Sequence, residues 1–292
     1  MAAMIPTEAT LPKVPAMPLA PRWDACLELE YAWRGGRSVL ANRRHVGPLR
    51  VQRDLYPEGA ATCHTIVVHP PGGIAGGDAL ELKTVLGQNS AALLTTPGAA
   101  KWYRSSGLAA RQTLEFDVAD GAVLEWLPQE SIVFDGAVAD MTTTVRLSDG
   151  GVYLGWEILC FGRIASGERF ATGNVRSRTE IQCDGEKLWI EQGRIEGGDP
   201  LFASAAGFAG RTVCATLIAA GREPANDLLA ACRAVPPGDD ALAGITRLPR
   251  LLIARYLGHS AEEARAYFAA LWALLRPALK GVASQPPRIW AT

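Results

Sequence analysis

Leu27-Glu28-Leu29-Glu30-Tyr31-Ala32-Trp33-Arg34-Gly35-Gly36 alternates apolar with polar or small side chains and then stops on a glycine pair. A period of two puts Leu27, Leu29, Tyr31 and Trp33 on one face of an extended chain, the pattern of a strand with one side buried and one side wet. Gly35-Gly36 supplies a turn before the next run, so the segment reads as a hairpin. The alternation returns at Leu80 and Leu82 against Glu81 and Lys83, and at Leu114, Phe116 and Val118 against Glu115 and Asp117. Thr142 to Leu147, Val152 to Cys160, Arg178 to Gln182 and Leu188 to Ile190 are further extended candidates, each bounded by Gly, Asp or Pro. The first two thirds are therefore mostly β. No helices alternate with these runs, which argues against a doubly wound α/β sheet and leaves antiparallel or β-helical layering open. No solenoid-type sequence repeat decides between the two.

Outward from this region the character changes at both ends. Pro6, Pro12, Pro15, Pro18 and Pro21 each remove a backbone donor and fix φ, so residues 1–22 are expected to be a loose tail, with order beginning near Trp23. The last third is Ala- and Leu-rich, with helical spacing at Asn226 to Arg233 and again after His259. Ser260 and Glu263 fit a capping box, and Tyr267, Phe268, Leu271, Trp272 and Leu275 then share one stripe, read as packing against the sheet. Pro277 marks the end of that helix or a kink in it.

Composition excludes several classes of function. With 48% apolar and 20% charged residues the 292-residue chain is globular, and a formal net charge of −1 gives no basic surface for nucleic acid or an anionic membrane. The six cysteines are widely spaced, with no C-x-x-C pair, and read as reduced thiols. The amino-terminal stretch has neither early positive charge nor a continuous apolar run, so no signal peptide or spanning helix is expected and the cytoplasm is the default compartment. No phosphate loop, H-E-x-x-H helix, G-x-S-x-G elbow or G-x-G-x-x-G turn is present, and four histidines are few for a multi-histidine catalytic metal centre.

Three features carry chemistry. His69-Pro70-Pro71-Gly72-Gly73-Ile74-Ala75-Gly76-Gly77-Asp78 is built for backbone shape, because glycine takes φ > 0 and tolerates close approach while the prolines stiffen it. Asp78 at its mouth is either a cation ligand or a cap of the turn. Thr95 to Ser106 sets Lys101 and Arg104 around Trp102 and Tyr103, suiting either a protein interface or a strand whose aromatics face the core. Glu125, Glu157 and Glu191 stand in apolar strands, where a carboxylate requires an arginine, a cation, cavity water or an exposed face. Cys63-His64 is a conceivable metal pair, but neighbours on a strand point to opposite faces.

HPPGGIAGGD at 69–78, TTPGAAKWYRSS at 95–106, LEWLPQESIVFD at 124–135 and LGWEILCFGRIASGE at 154–168 resemble, in order and spacing, segments of the UreD (UreH) urease accessory protein family, as does the ending from Phe268 to Trp290. The resemblance runs from Trp23 to Thr292 and implies one UreD-like domain over 23–292. It implies a mainly β fold, an irregular two-layer β-helix-like scaffold with helices near the C-terminus. It implies a non-enzymatic partner of apo-urease, UreF and the GTPase UreG in a hetero-oligomeric complex, with no permanently bound cofactor. It also implies a transient nickel route through Asp78, Glu157 and Glu191. Scattered carboxylates hold Ni²⁺ loosely where a thiolate or multi-histidine cage would not release it. Ala79 after Asp78 and Ala100 before Lys101 depart from the family pattern at that route. Two other readings stay open: a structural clamp on urease that carries no metal, and an enzyme with a site near Glu130, Asp135 and Arg163.

Overall fold

Residues 22–291 are described in the computed structural model of the chain. The expected tail over 1–22 therefore lies, except for Arg22, outside the described residues. In chain order the strands are β1 (Asp24–Arg34), β2 (Arg37–Val46), β3 (Arg50–Val51), β4 (Cys63–Val68), β5 (Ala79–Leu86), β6 (Ala91–Thr95), β7 (Ala100–Trp102), β8 (Ala110–Val118), β9 (Val123–Trp126), β10 (Ser131–Val133), β11 (Val138–Leu147), β12 (Val152–Phe161), β13 (Asn174–Cys183), β14 (Glu186–Glu196) and β15 (Val213–Ala220). Helix α1 (Asn226–Arg233), strands β16 (Leu242–Leu248) and β17 (Leu251–Gly258) and helix α2 (Ala261–Lys280) follow.

From β4 to β13 the chain crosses back and forth between two sheets. One has seven strands in the order β14-β13-β11-β8-β5-β1-β2; the other runs β16-β17-β15-β12-β9-β6-β4-β3. Strands β5, β8, β11 and β13 lie parallel in the first, and β4, β6, β9 and β12 lie parallel in the second. Successive coils thus stack rung on rung: Leu86, Val118, Leu147 and Cys183 form one inward ladder. Short strands β7 and β10 line up with the end of β12 to make a third, narrow side. The β-helical alternative holds for the middle of the molecule. Antiparallel pairs finish both ends: β1 with β2 and β13 with β14 in the first sheet, and β12-β15-β17-β16 in the second.

The core lies between the sheets, where Leu27, Leu29, Tyr31 and Phe116 meet Leu94, Leu124, Tyr153 and Ile253. A second apolar layer covers the back of the longer sheet: Phe268, Leu271, Trp272 and Leu275 of α2 pack on Leu154, Trp156, Leu217 and Ala254. Strands β12, β15 and β17 are consequently buried on both faces, which is why they read as continuous apolar runs rather than alternations. For that reason the sequence does not reveal β15 and β17, and the last third is less helical than its Ala and Leu content suggests. Ser260 caps α2 as expected, its Oγ accepting from the Glu263 amide. Pro277 does not end the helix, which continues to Lys280 and closes on Gly281 in the left-handed region.

Candidate functional site

Between the two sheets, on the side of β12, β14, β15 and β17, the apolar core gives way to a cavity of about 650 Å³. Its walls include small polar side chains, Thr143, Ser177, Thr179 and Thr216, at inward positions that a dry core fills with branched aliphatics. Register sets the charged groups in a row. Glu157 of β12 is opposite Thr216 of β15, which is opposite Arg255 of β17, so all three share the inward face. Glu191 faces them from β14 of the other sheet. Arg255 bridges the gap, with Nη2 2.8 Å from Glu191 Oε1 and Nη1 donating to Thr216 Oγ1 at 2.7 Å.

Glu157 has no hydrogen-bond or ion-pair partner among the described residues. Burial, reinforced by the charge of Glu191, pushes its carboxyl up to about 7. Cys214 lines the same wall, and burial lifts its thiol to about 11, Glu157 and Glu191 adding to the rise and Arg255 opposing it. Its sulfur therefore stays protonated at neutral pH.

A raised carboxyl pKa has a definite sign in stability. The folded chain binds more protons than the unfolded one between the ordinary glutamate value and about 7, so the contribution of Glu157 is favourable below that window and is lost as pH rises through it. Glu157→Gln, which mimics the protonated form, is expected to melt roughly 2–6 °C above the parent at pH 8 and level with it near pH 5. Thermal melts at the two pH values check this, and equal shifts at both would contradict it.

Of the three carboxylates expected along one route, Glu157 and Glu191 share this cavity and Asp78 does not. Asp78 is 7% exposed, with Oδ1 accepting from the Trp23 amide at 2.9 Å and Oδ2 from the Ala75 amide at 2.8 Å, so it caps the glycine-rich turn. That turn is tightly fitted: a Cβ on Gly76 would fall 2.2 Å from Ser105 Oγ and 2.9 Å from Leu108 O. Its first residue, His69, does line the cavity, with a buried Nε2 that has no hydrogen-bond partner among the described residues and a pKa lowered by burial despite the charge of Asp78. Lys101 also lines the cavity, while Trp102 faces the core and Tyr103 stands exposed against Phe134, so the aromatics of the 95–106 stretch do not share one face.

Glu125 belongs to a separate, buried network. Its Oε1 accepts from Trp272 Nε1 at 2.6 Å and Arg276 Nε at 2.8 Å, and its Oε2 lies 3.2 Å from Lys280 Nζ. Arg276 continues to Glu58 at 2.6 Å, and Glu58 also meets His64. Burial alone would raise the Glu58 carboxyl, but hydrogen bonds from His64 and Arg276 bring it down to about 2. Cys63 points the other way, into the core between the sheets, as strand geometry requires. The polar trio considered for an enzyme site is spent on loop pairing: Glu130 on Arg265, Asp135 on Arg104 and the Ala171 and Thr172 amides, Arg163 on Glu168.

Sequence reasoning missed Arg255, Thr216, Cys214 and His69. Arg255 carried the same signal as Glu157, a charge inside an apolar strand, in Leu251-Leu252-Ile253-Ala254-Arg255-Tyr256-Leu257. Among the described residues no group of three or more His, Cys, Asp or Glu side chains gathers closely enough to hold a metal ion, and no helix is long and apolar enough to cross a membrane.

The family model described as UreD urease accessory protein matches residues 24–291. Proteins named urease accessory protein UreD are similar over nearly the full length. The one from Dechloromonas aromatica is 54% identical over 276 residues, spanning 94% of this chain and 96% of that protein. Those from Azoarcus sp. and Pseudomonas aeruginosa PAO1 are 53% and 50% identical, spanning 93% and 96% of this chain and 95% and 99% of theirs.

Proposed function

Because the chain belongs to the UreD family of urease accessory proteins, and so serves urease maturation without being an enzyme itself, we propose that it scaffolds apo-urease with UreF and UreG and conducts nickel to the urease site. It acts in the cytoplasm as one unit over residues 23–292, and nickel is cargo rather than a resident cofactor. The observation that carries this reading is that Glu157 and Glu191 line one cavity between the sheets, with Glu157 free of any protein cation among the described residues. Ni²⁺ accepts carboxylate oxygen and neutral imidazole, and a wall offering two separated carboxylates holds it weakly enough to hand on. Asp78 lies off the cavity and braces the glycine-rich turn, and His69 at the head of that stretch lines the cavity.

Co-expression with the urease subunits, UreF and UreG, followed by native purification and metal analysis, tests the proposal. The chain is expected to co-elute with apo-urease and UreF, and urease made without it is expected to contain little nickel. A chain that remains monomeric and retains neither partner would refute the scaffold. Retention of both partners with normal nickel loading of urease in the chain's absence would leave a clamp that carries no metal.

A further inference from the structure

We infer that Arg255 is the cavity's built-in counter-cation, seated beside Glu191 where a divalent ion would sit, so that cargo binds only by displacing it and is expelled when it returns. This rests on the nickel route proposed above and adds what keeps that route from becoming a trap.

Four observations support it. The Arg255 guanidinium makes its ion pair with Glu191 at 2.8 Å and steadies itself on Thr216 at 2.7 Å, both contacts on the cavity wall. It therefore joins the two sheets through side chains alone, and swinging it away breaks no backbone pairing. The pair is part-exposed, with side-chain exposures of 40% and 35%, so water is at hand to solvate the guanidinium when it moves. Glu157 lies two strands away in register and takes no share of the guanidinium, leaving one carboxylate open to make first contact with a cation.

The charge arithmetic decides the effect. Glu191 is paired with Arg255, Lys101 stands elsewhere on the wall, and Glu157 is the acid in the cavity that has no cation bound to it among the described residues. A divalent ion bridging towards Glu191 must take that carboxylate from the guanidinium that already holds it. Arg255 thereby lowers affinity and, being tethered at high local concentration, speeds release. A lysine at this position keeps the charge; a glutamine leaves two carboxylates facing one cavity with no cation between them, which favours binding of a divalent ion.

Equilibrium dialysis of nickel chloride against the full chain provides the test, with urease activation by the co-expressed complex as a second readout. Arg255→Gln is expected to bind Ni²⁺ at least about tenfold more tightly than the parent while delivering less of it to urease. Arg255→Lys is expected to stay within about threefold of the parent. Thr216→Val, which removes one anchor of the guanidinium and changes no charge, is expected to tighten binding by about threefold, and it stands in should the glutamine variant not fold. Adding Glu157→Gln and Glu191→Gln to Arg255→Gln is expected to abolish the gain. If Arg255→Gln and Thr216→Val bind no more tightly than the parent while the double variant Glu157→Gln, Glu191→Gln, made with Arg255 intact, loses binding, the counter-cation is wrong and the route survives. If the double variant binds nickel as the parent does, the route itself is wrong, whatever Arg255 does.

Discussion

Arg276→Leu is expected to destabilise the fold by about 3–5 kcal/mol, the range found when one partner of a buried ion pair is removed. The side chains of Arg276 and Glu125 are each 1% exposed, and the guanidinium is shared between Glu125, Glu58 and the Ala283 carbonyl. Leucine would fill part of the volume but leave Glu125 facing only Lys280 and Trp272, and Glu58 facing only His64. For a chain of this size the loss corresponds to roughly 6–20 °C in Tm. Circular dichroism melts of parent and variant measure it, and a shift under about 2 °C would show that the network contributes little. Replacing Glu125 together with Arg276 by apolar residues should cost less than the single change, because the double variant no longer strands Glu125.

The second large effect falls on function. Glu157→Gln combined with Glu191→Gln is expected to reduce urease activation at least about tenfold in cells carrying the other accessory proteins, with the yield of co-purified complex unchanged. Both changes are nearly isosteric, and the amide oxygen that Glu191→Gln introduces can still accept from Arg255, so the cavity keeps its shape while losing its ability to hold a dication. Either single change should do less, since one carboxylate and His69 remain on the wall. Metal analysis of the urease that emerges separates a loading defect from a docking defect. Fully nickel-loaded urease from the double variant would end the conduit reading.

How far the sequence foretold the structure depends on what each element buries. Strands β1, β5, β8 and β11 face water on one side, so the alternation of Leu27, Leu29 and Tyr31 or of Leu114, Phe116 and Val118 displayed them. Strands β15 and β17 are covered by the other sheet and by α2, so Val213-Cys214-Ala215-Thr216-Leu217 carries no such period. Helices α1 and α2 announced themselves through local chemistry, the Ser260 cap above all. Pro277 does not end α2, because its neighbours Arg276 and Lys280 are held by the buried network, and those tertiary bonds outweigh what proline removes so near a helix end. In the cavity, Glu157 and Glu191 were conspicuous as charges in apolar strands. That they face one another depends on the gap between two sheets, and Arg255 joins Glu191 from a distant part of the chain, a relation that no local pattern encodes. Asp78 looked equally acidic, yet its two amide donors come from a turn geometry that spacing alone does not specify.

The Glu125–Lys280 contact spans 155 positions, which gives the fold an order of events in the cell. At ~5–20 residues per second, a ribosome needs roughly 8–30 s between making Glu125 and making the lysine that helps neutralise it. Leu154 and Trp156, made soon after Glu125, then wait without α2 to cover them, and the nascent sheet presents a sticky apolar back with an unpaired acid at its centre. Chains truncated between Trp156 and Lys280 should therefore aggregate or be degraded rather than give a smaller working protein. Helix α2 completes the neutralisation of the sheet beneath it.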